Sequence, residues 1–312
     1  MKKGKIIIIV LVIVLLYVFV SEIIKELLLY NESIEEDLFN DFIYTITVPS
    51  SKDSITIASF NIQTFGKSKR EKTRVMNILA NILCKFDIMA IQEIRDKTET
   101  TIEYYVNLSN YVCNNSYRDY IISPQIGRSS YKENYAFIYN PKKVAYVPES
   151  SYVYQDIEDY FEREPFIAQF KANEFDFILV NIHIKPDNAE SEIRKLTEVI
   201  IDIKTKFVEE EDIIILGDLN ADCSYYDENK EKVFLNDKEY KWLIPNNADT
   251  TTKSTNCTYD RIIISSESVE DYAGHKGVFM FDKVYDISYE LTIEVSDHYP
   301  VWARFHTNKD TK

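Results

Sequence analysis

A mixed α/β sandwich is the fold class that this 312-residue sequence predicts. Short apolar runs of strand length recur along the chain, amphipathic helical stretches are interspersed with them, and several strand runs follow one another as closely as hairpins. The last point argues against a purely parallel sheet. The pattern becomes regular from Ser54. Residues 55–60 read as a strand, followed by a turn at Gly66. Residues 70–85 place Val75, Ile78, Leu79 and Ile82 on one helical face. A short strand over 87–91 and a helix over 100–112 follow. Strands are then expected at 120–122, 135–139 and 175–182. The clearest helix spans 190–208, with Ile193, Leu196, Ile200, Ile203 and Phe207 at helical spacing. Strands at 213–216, 261–264 and 301–305 complete the set. No internal repeat is visible.

Composition sets outer bounds. The chain is long enough for a large core, and 45% hydrophobic with 28% charged residues is ordinary for a globular protein. The formal net charge is −15. Such a surface speaks against tight non-specific binding to a polyanion, whose affinity comes mostly from neutralised phosphates.

The N-terminus is separable. Lys2, Lys3 and Lys5 precede an unbroken apolar run over residues 6–20, the layout of an export signal. No alanine occurs before Ala58, so the pattern favours an uncleaved anchor, N-terminus inside, over a cleaved peptide. The expected organisation is a signal anchor or signal peptide over 1–29 and a polar, acidic stalk over 30–53. A folded domain over 54–307 and a tail over 308–312 follow. Both a membrane-anchored and a secreted extracytoplasmic protein fit. Four cysteines in an exported domain can form disulfides. Cys84 and Cys113 either pair or stay as buried thiols.

Several apolar strands end in polar residues able to bind a hard cation or handle a proton. Asn61 ends the first. Glu93 follows Met89-Ala90-Ile91-Gln92. His183 closes Asn181-Ile182-His183, and Gly217-Asp218-Leu219-Asn220 follows the run over 213–216. Ser296-Asp297-His298-Tyr299-Pro300 precedes the last strand. Taken singly, each is as well explained by a turn or a cap. Together they make a set of carboxylate and amide oxygens with two imidazoles, suited to Mg²⁺ or Ca²⁺ rather than zinc and to hydrolysis of a phosphate ester. Zinc-type Cys/His spacing is missing from the sequence.

In these strings the chain resembles the deoxyribonuclease I family of the endonuclease/exonuclease/phosphatase superfamily. Further matches are Ile57-Ala58-Ser59-Phe60-Asn61-Ile62-Gln63-Thr64-Phe65-Gly66, Ile91-Gln92-Glu93-Ile94-Arg95-Asp96, Ser130-Tyr131-Lys132-Glu133 and Arg163-Glu164-Pro165. Gly-Asp-x-Asn and Ser-Asp-His are shared across the superfamily. Ala221-Asp222-Cys223-Ser224-Tyr225 and Asn256-Cys257-Thr258-Tyr259-Asp260-Arg261 are narrower and point to the deoxyribonuclease I branch. The resemblance runs in order from about Ile55 to Phe305.

The resemblance implies a four-layer α/β/β/α sandwich of two mixed sheets flanked by helices. It implies His298 as general base, oriented by Asp260, and His183 as general acid, oriented by Glu133. Each imidazole then has a carboxylate that fixes its tautomer and raises its basicity. Glu93, with Asn61, Asp218 and Asp297, would hold Mg²⁺ (or Mn²⁺), and Asn220 would hydrogen-bond a phosphate oxygen. Arg95, Tyr131 and Arg163 would meet the minor groove of DNA. Two structural Ca²⁺ sites are implied, one at Asp249, Thr251 and Thr255, the other at Asp156, Asp159, Phe161 and Glu164. Cys223 and Cys257 match a family disulfide.

The implied activity is an extracytoplasmic, Mg²⁺/Ca²⁺-dependent endonuclease that cuts DNA to 5′-phosphate products with little sequence specificity, as a monomer. RNA is the other polymer to consider. Gln63 stands where the family commonly has arginine, Ser129 where asparagine is usual, and Lys253 falls among the first calcium ligands. The alternatives are a phosphodiesterase of the same superfamily acting on phospholipid headgroups and a non-catalytic surface binding module.

Overall fold

Two β-sheets face each other in a computed structural model, which describes residues 52–113, 117–227 and 239–308. The apolar run over 6–20 and nearly all of the expected stalk lie outside these residues. Among the described residues no helix is long and apolar enough to cross a membrane.

The first sheet begins with β1 (Ser54–Phe65), which pairs in parallel with β2 (Ile88–Ile94). Between them run a short helix α1 (Lys67–Arg70) and α2 (Thr73–Leu83). After α3 (Thr100–Val112) come β3 (Asp119–Ile122) and β4 (Asn134–Tyr139), which extend the sheet on the β2 side. The second sheet starts from the small strands β5 (Ala145–Tyr146) and β6 (Tyr152–Val153), both paired with β7 (Phe166–Ala172). Next come β8 (Phe175–His183), α4 (Ala189–Lys206) and β9 (Ile213–Asp218), with β8 and β9 parallel. Strands β10 (Tyr240–Trp242) and β11 (Asp260–Ser265) finish this sheet. The chain then returns to the first sheet through β12 (Tyr272–Val278), α5 (Phe281–Tyr285), α6 (Tyr289–Val295) and β13 (Val301–His306).

The strand orders are β12-β13-β1-β2-β4-β3 and β10-β11-β9-β8-β7-β5, both mixed in direction. The four-layer sandwich implied by the sequence is thus the observed architecture. Period-two alternation builds its layers. In β9, Ile214 and Leu216 join the core between the sheets, while Ile213 and Ile215 face outward to pack with Ile193, Leu196 and Ile200 of α4. On the other side Val75, Leu79 and Ile82 of α2 join Ile102 and Tyr105 of α3 in the main core.

One polar seam crosses that core. Gln92 Nε2 donates to Asn181 Oδ1 at 2.7 Å and to Ser59 Oγ at 3.0 Å, and Asn181 Nδ2 donates to Ile91 O and Ala136 O. These buried groups satisfy one another and fix β2 of one sheet against β8 of the other. Cys84 is bonded to Cys113, joining the ends of α2 and α3, and Cys223 is bonded to Cys257. The alternative left open for Cys84 and Cys113 is therefore settled as a disulfide.

Candidate active site

The polar strand ends converge at one edge of the sandwich. Irregularities in β1 and β2 help to bring them there. The β1–β2 register shifts between Asn61 and Phe65, the β2–β4 register between Ile91 and Ile94, and Glu93 takes a left-handed φ of 61°. A non-glycine residue adopts that conformation only at a cost, which is common where a side chain is re-aimed at a site. Asn220 is held similarly at φ 47° after Asp218. Gly217 has a different reason to be glycine. A Cβ there would lie 1.8 Å from the Ile182 carbonyl oxygen of the neighbouring strand.

Asp218 sits at the centre, buried, between the two imidazoles. His183 Nε2 and His298 Nε2 each lie 3.5 Å from its Oδ2. Behind each ring is a fully buried carboxylate: Glu133 Oε1 is 2.9 Å from His183 Nδ1, and Asp260 Oδ2 is 2.8 Å from His298 Nδ1. Both rings therefore keep Nδ1 engaged and turn Nε2 to the same point. Burial opposes the charge on each ring. Glu133 outweighs it at His183 and raises that pKa, while Asp260 and Asp218 push His298 up to about 10. Burial likewise opposes the Asp218 carboxylate, but His298 and His183 hold it below its ordinary range.

Beside this pair lies a set of oxygens. Asn61 Nδ2 donates to Asp218 Oδ2 at 2.9 Å and to Glu93 Oε1 at 3.4 Å, while Asn61 Oδ1 is buried without a hydrogen-bond partner. Glu93 Oε2 accepts from Thr64 N at 2.8 Å and pairs with Arg95 Nη2 at 3.0 Å. Two carboxylates and an orphaned amide oxygen suit a hard divalent cation. Asp297 is close by, with Oδ1 3.8 Å from His298 Nε2. Its Oδ2 accepts from Gln63 Nε2 at 2.8 Å and from Lys253 Nζ at 2.7 Å. Asn220 Nδ2 is turned to the Ile184 carbonyl at 2.9 Å.

The fold and this paired-histidine geometry can now be set against known proteins. The chain matches the Endonuclease/Exonuclease/phosphatase family over residues 58–298. It is 35% identical to bovine (Bos taurus) deoxyribonuclease-1 over 260 residues, covering 80% of this chain and 91% of that protein. It is 35% identical to human (Homo sapiens) deoxyribonuclease gamma over 272 residues, covering 82% and 87%. The chain belongs to the endonuclease/exonuclease/phosphatase family, in its deoxyribonuclease I branch. A likeness of fold alone links it to D. rerio TDP2, crystallised with a single-strand DNA product. That match has a TM-score of 0.55 at 17% identity and covers 82% of this chain and 100% of that one.

Around the centre of this family member, Tyr131 is 69% exposed and its ring centroid lies 5.9 Å from the Arg95 guanidinium. Arg163 is brought to the site but turned inward. It is 7% exposed, donates from Nε to the His183 carbonyl at 3.0 Å and faces Glu133 Oε1 at 3.6 Å. At the first expected calcium loop, Asp249 Oδ1 accepts from Thr251 Oγ1 at 2.9 Å, and Thr251 Oγ1 also meets the Thr255 carbonyl. Three oxygens thus cluster there, and Lys253 points away from them to Asp297. At the second, Asp156 Oδ2 accepts from Phe161 N at 2.7 Å, whereas the Asp159 carbonyl accepts from Arg128 Nη1 at 2.7 Å. Glu164 closes the same loop just before β7.

Sequence reading missed the residues that hold the site from behind. Tyr135 Oη accepts from His183 N at 2.8 Å, and Ser296 Oγ donates to Asn61 O at 2.6 Å while accepting from His298 N at 3.1 Å. Gln92 and Asn181 form the seam beneath. Their one local signal is a polar residue inside an apolar strand run; Ser296 stands in the Ser-Asp-His string without its bracing role being visible there, and Tyr135 carries no such signal.

Proposed function

We propose that this chain is a metal-dependent endonuclease that hydrolyses DNA phosphodiester bonds, leaving a 5′-phosphate and a 3′-hydroxyl, with little sequence preference. The carrying observation is the mirrored arrangement of carboxylate, imidazole and central Asp218. One base and one acid stand ready on either side of a single phosphate. The names of its relatives, deoxyribonuclease-1 and deoxyribonuclease gamma, favour DNA as the polymer.

In this reading His298, once its own proton has left Nε2, takes a proton from water as the water oxygen bonds to phosphorus. The bond from phosphorus to the 3′ oxygen breaks, and His183 Nε2 gives its proton to that oxygen. Asp260 and Glu133 keep the rings in the tautomer each step needs. Glu93 and Asn61, with Asp218 and Asp297 nearby, would hold Mg²⁺ or Mn²⁺, which when bound neutralises charge on the phosphate oxygens. Asn220 reaches a non-bridging phosphate oxygen once its side chain leaves the Ile184 carbonyl.

Arg95 and Tyr131 meet the DNA groove, and Arg163 adds its charge from beneath while bracing His183. The Asp249–Thr255 loop would hold Ca²⁺. The Asp156, Asp159 and Glu164 loop would hold a second with Asp159 released from Arg128. An extracytoplasmic location, anchored or secreted, is supported by two disulfides and by the cationic, apolar leader in the sequence.

The test is end chemistry. Supercoiled plasmid nicked by the full-length protein in Mg²⁺ should be sealed by DNA ligase without further treatment. Nicks that ligase cannot seal until the 3′-phosphate is removed and a kinase adds a 5′-phosphate would overturn the assignment of which bond breaks.

A further inference from the structure

Glu192 is a fully buried carboxylate in the first turn of α4, outside the set of groups that handle the phosphate. Its two oxygens go to two different segments. Oε1 accepts from Glu162 N at 3.3 Å, and Oε2 accepts from Lys185 N at 3.4 Å. Glu162 immediately precedes Arg163, and Lys185 lies two residues after His183. Arg163 Nε in turn donates to the His183 carbonyl at 3.0 Å and faces Glu133, which holds His183 Nδ1. One helix-borne carboxylate thus pins both stretches of backbone that frame a single imidazole.

The residue type follows from the geometry. Each N–H donor meets its own oxygen, and an ionised carboxylate offers two acceptor oxygens with no donor between them. A carboxamide would put an NH2 donor in place of one of those oxygens and deprive one buried N–H of its partner. Burial is severe and pushes the Glu192 carboxyl up to about 7, against the pull of Arg163 and Arg128. The charged and titratable groups that act on it are Arg163, Arg128 and the Tyr135 phenol, while Glu162 and Lys185 meet it through backbone N–H. A chain that needed only a filled core would place an apolar residue here.

We infer that Glu192 is a positioning residue for the proton donor, holding His183 through the backbone of Lys185 and through Arg163 so that Nε2 meets the leaving oxygen. The inference rests on the proposed role of His183 as the acid. It predicts a dependence on the leaving group, because an acid matters for an alkoxide and not for a group that departs without a proton.

The experiment compares kcat of the full-length protein on DNA and on bis(p-nitrophenyl) phosphate, whose nitrophenolate needs no proton. Glu192→Gln should shift the ratio of the two rates at least tenfold against DNA, in the same direction as His183→Ala. KM for DNA should stay within about threefold. Asp260→Asn, which acts on the water side, should leave the ratio unchanged while slowing both. Glu192→Asp keeps two acceptor oxygens on a shorter stem and should show a smaller shift of the same sign. That variant carries the test if the Gln variant does not fold. A His183→Ala ratio that shifts while both Glu192 variants keep the wild-type ratio would overturn the inference and leave the acid in place. A His183→Ala ratio that does not shift would overturn the acid itself, and the inference with it.

Discussion

In the proposed mechanism the chemistry turns on Asp260 and Glu133, each of which would fix the proton on the imidazole it contacts. Asp260→Asn preserves shape but no longer demands a proton on His298 Nδ1. Nicking should fall by about 10³–10⁴-fold with folding intact, the scale known for carboxylate–histidine pairs of this kind; a loss under tenfold would contradict the role. Glu192 gives a pH prediction with a definite sign. Its folded pKa, about 7, lies above the ordinary carboxylate value, so the folded state holds the extra proton and stability falls as pH rises from about 4.5 through 7. Unfolding free energies of wild type and Glu192→Gln measured from pH 5 to 8 should therefore diverge, the variant gaining relative stability at the alkaline end. Parallel profiles would contradict this. At this scale the strand-end residues were legible because each broke an apolar run. The bracing contacts of Tyr135, Ser296 and Glu192 were not, since their partners lie 48, 235 and 30 residues away in the chain.

Strand β7 shows what local patterning hides. Phe166–Ala172 is a central strand of the second sheet, yet Gln169 and Lys171 dilute its apolar signal and Pro165 precedes it. Edge strand β12 carries Gly274, His275, Lys276 and Gly277 and is defined by its pairing with β13 rather than by its composition. Helices α5 and α6, five and seven residues long, are too short to display a period. The longer elements were legible because they bury a full face. The expected helix over 70–85 is observed as α2, Thr73–Leu83, and the short α1, Lys67–Arg70, precedes it. In α4 that buried face can be tested: Leu196→Ala should cost about 2–5 kcal/mol in denaturant unfolding. Replacing Cys84 and Cys113 by serine should cost about 2–4 kcal/mol, while the folded protein keeps its nicking rate because that disulfide joins helices away from the phosphate. A nicking rate that fell with stability unchanged would place the disulfide's role elsewhere.

The whole molecule carries a net charge of −15, its 51 acidic residues outnumbering 36 lysines and arginines, and yet acts on a polyanion. Arg95 pairs with Glu93, and Lys253 and Gln63 both donate to Asp297 at the site. Gln63→Arg should lower KM for duplex DNA severalfold at low ionic strength, with the gain shrinking as salt is raised, as expected for a contact made by counterion release. Alternating strands and amphipathic helices pointed to a mixed α/β sandwich, and the family resemblance supplied its four layers. The pairing of sheets across the polar seam did not, because it depends on contacts distant in the chain.

In the proposed mechanism two carboxylate-held histidines act on one phosphate with a divalent cation. The most direct measurement is nicking of supercoiled plasmid by the full-length protein in Mg²⁺ with Ca²⁺, repeated with EDTA, His183→Ala and His298→Ala. The wild type should give open-circular product, with a loss of about a thousandfold or more under each of the three changes. Undiminished nicking by either folded histidine variant, or intact plasmid with folded wild type, would contradict it.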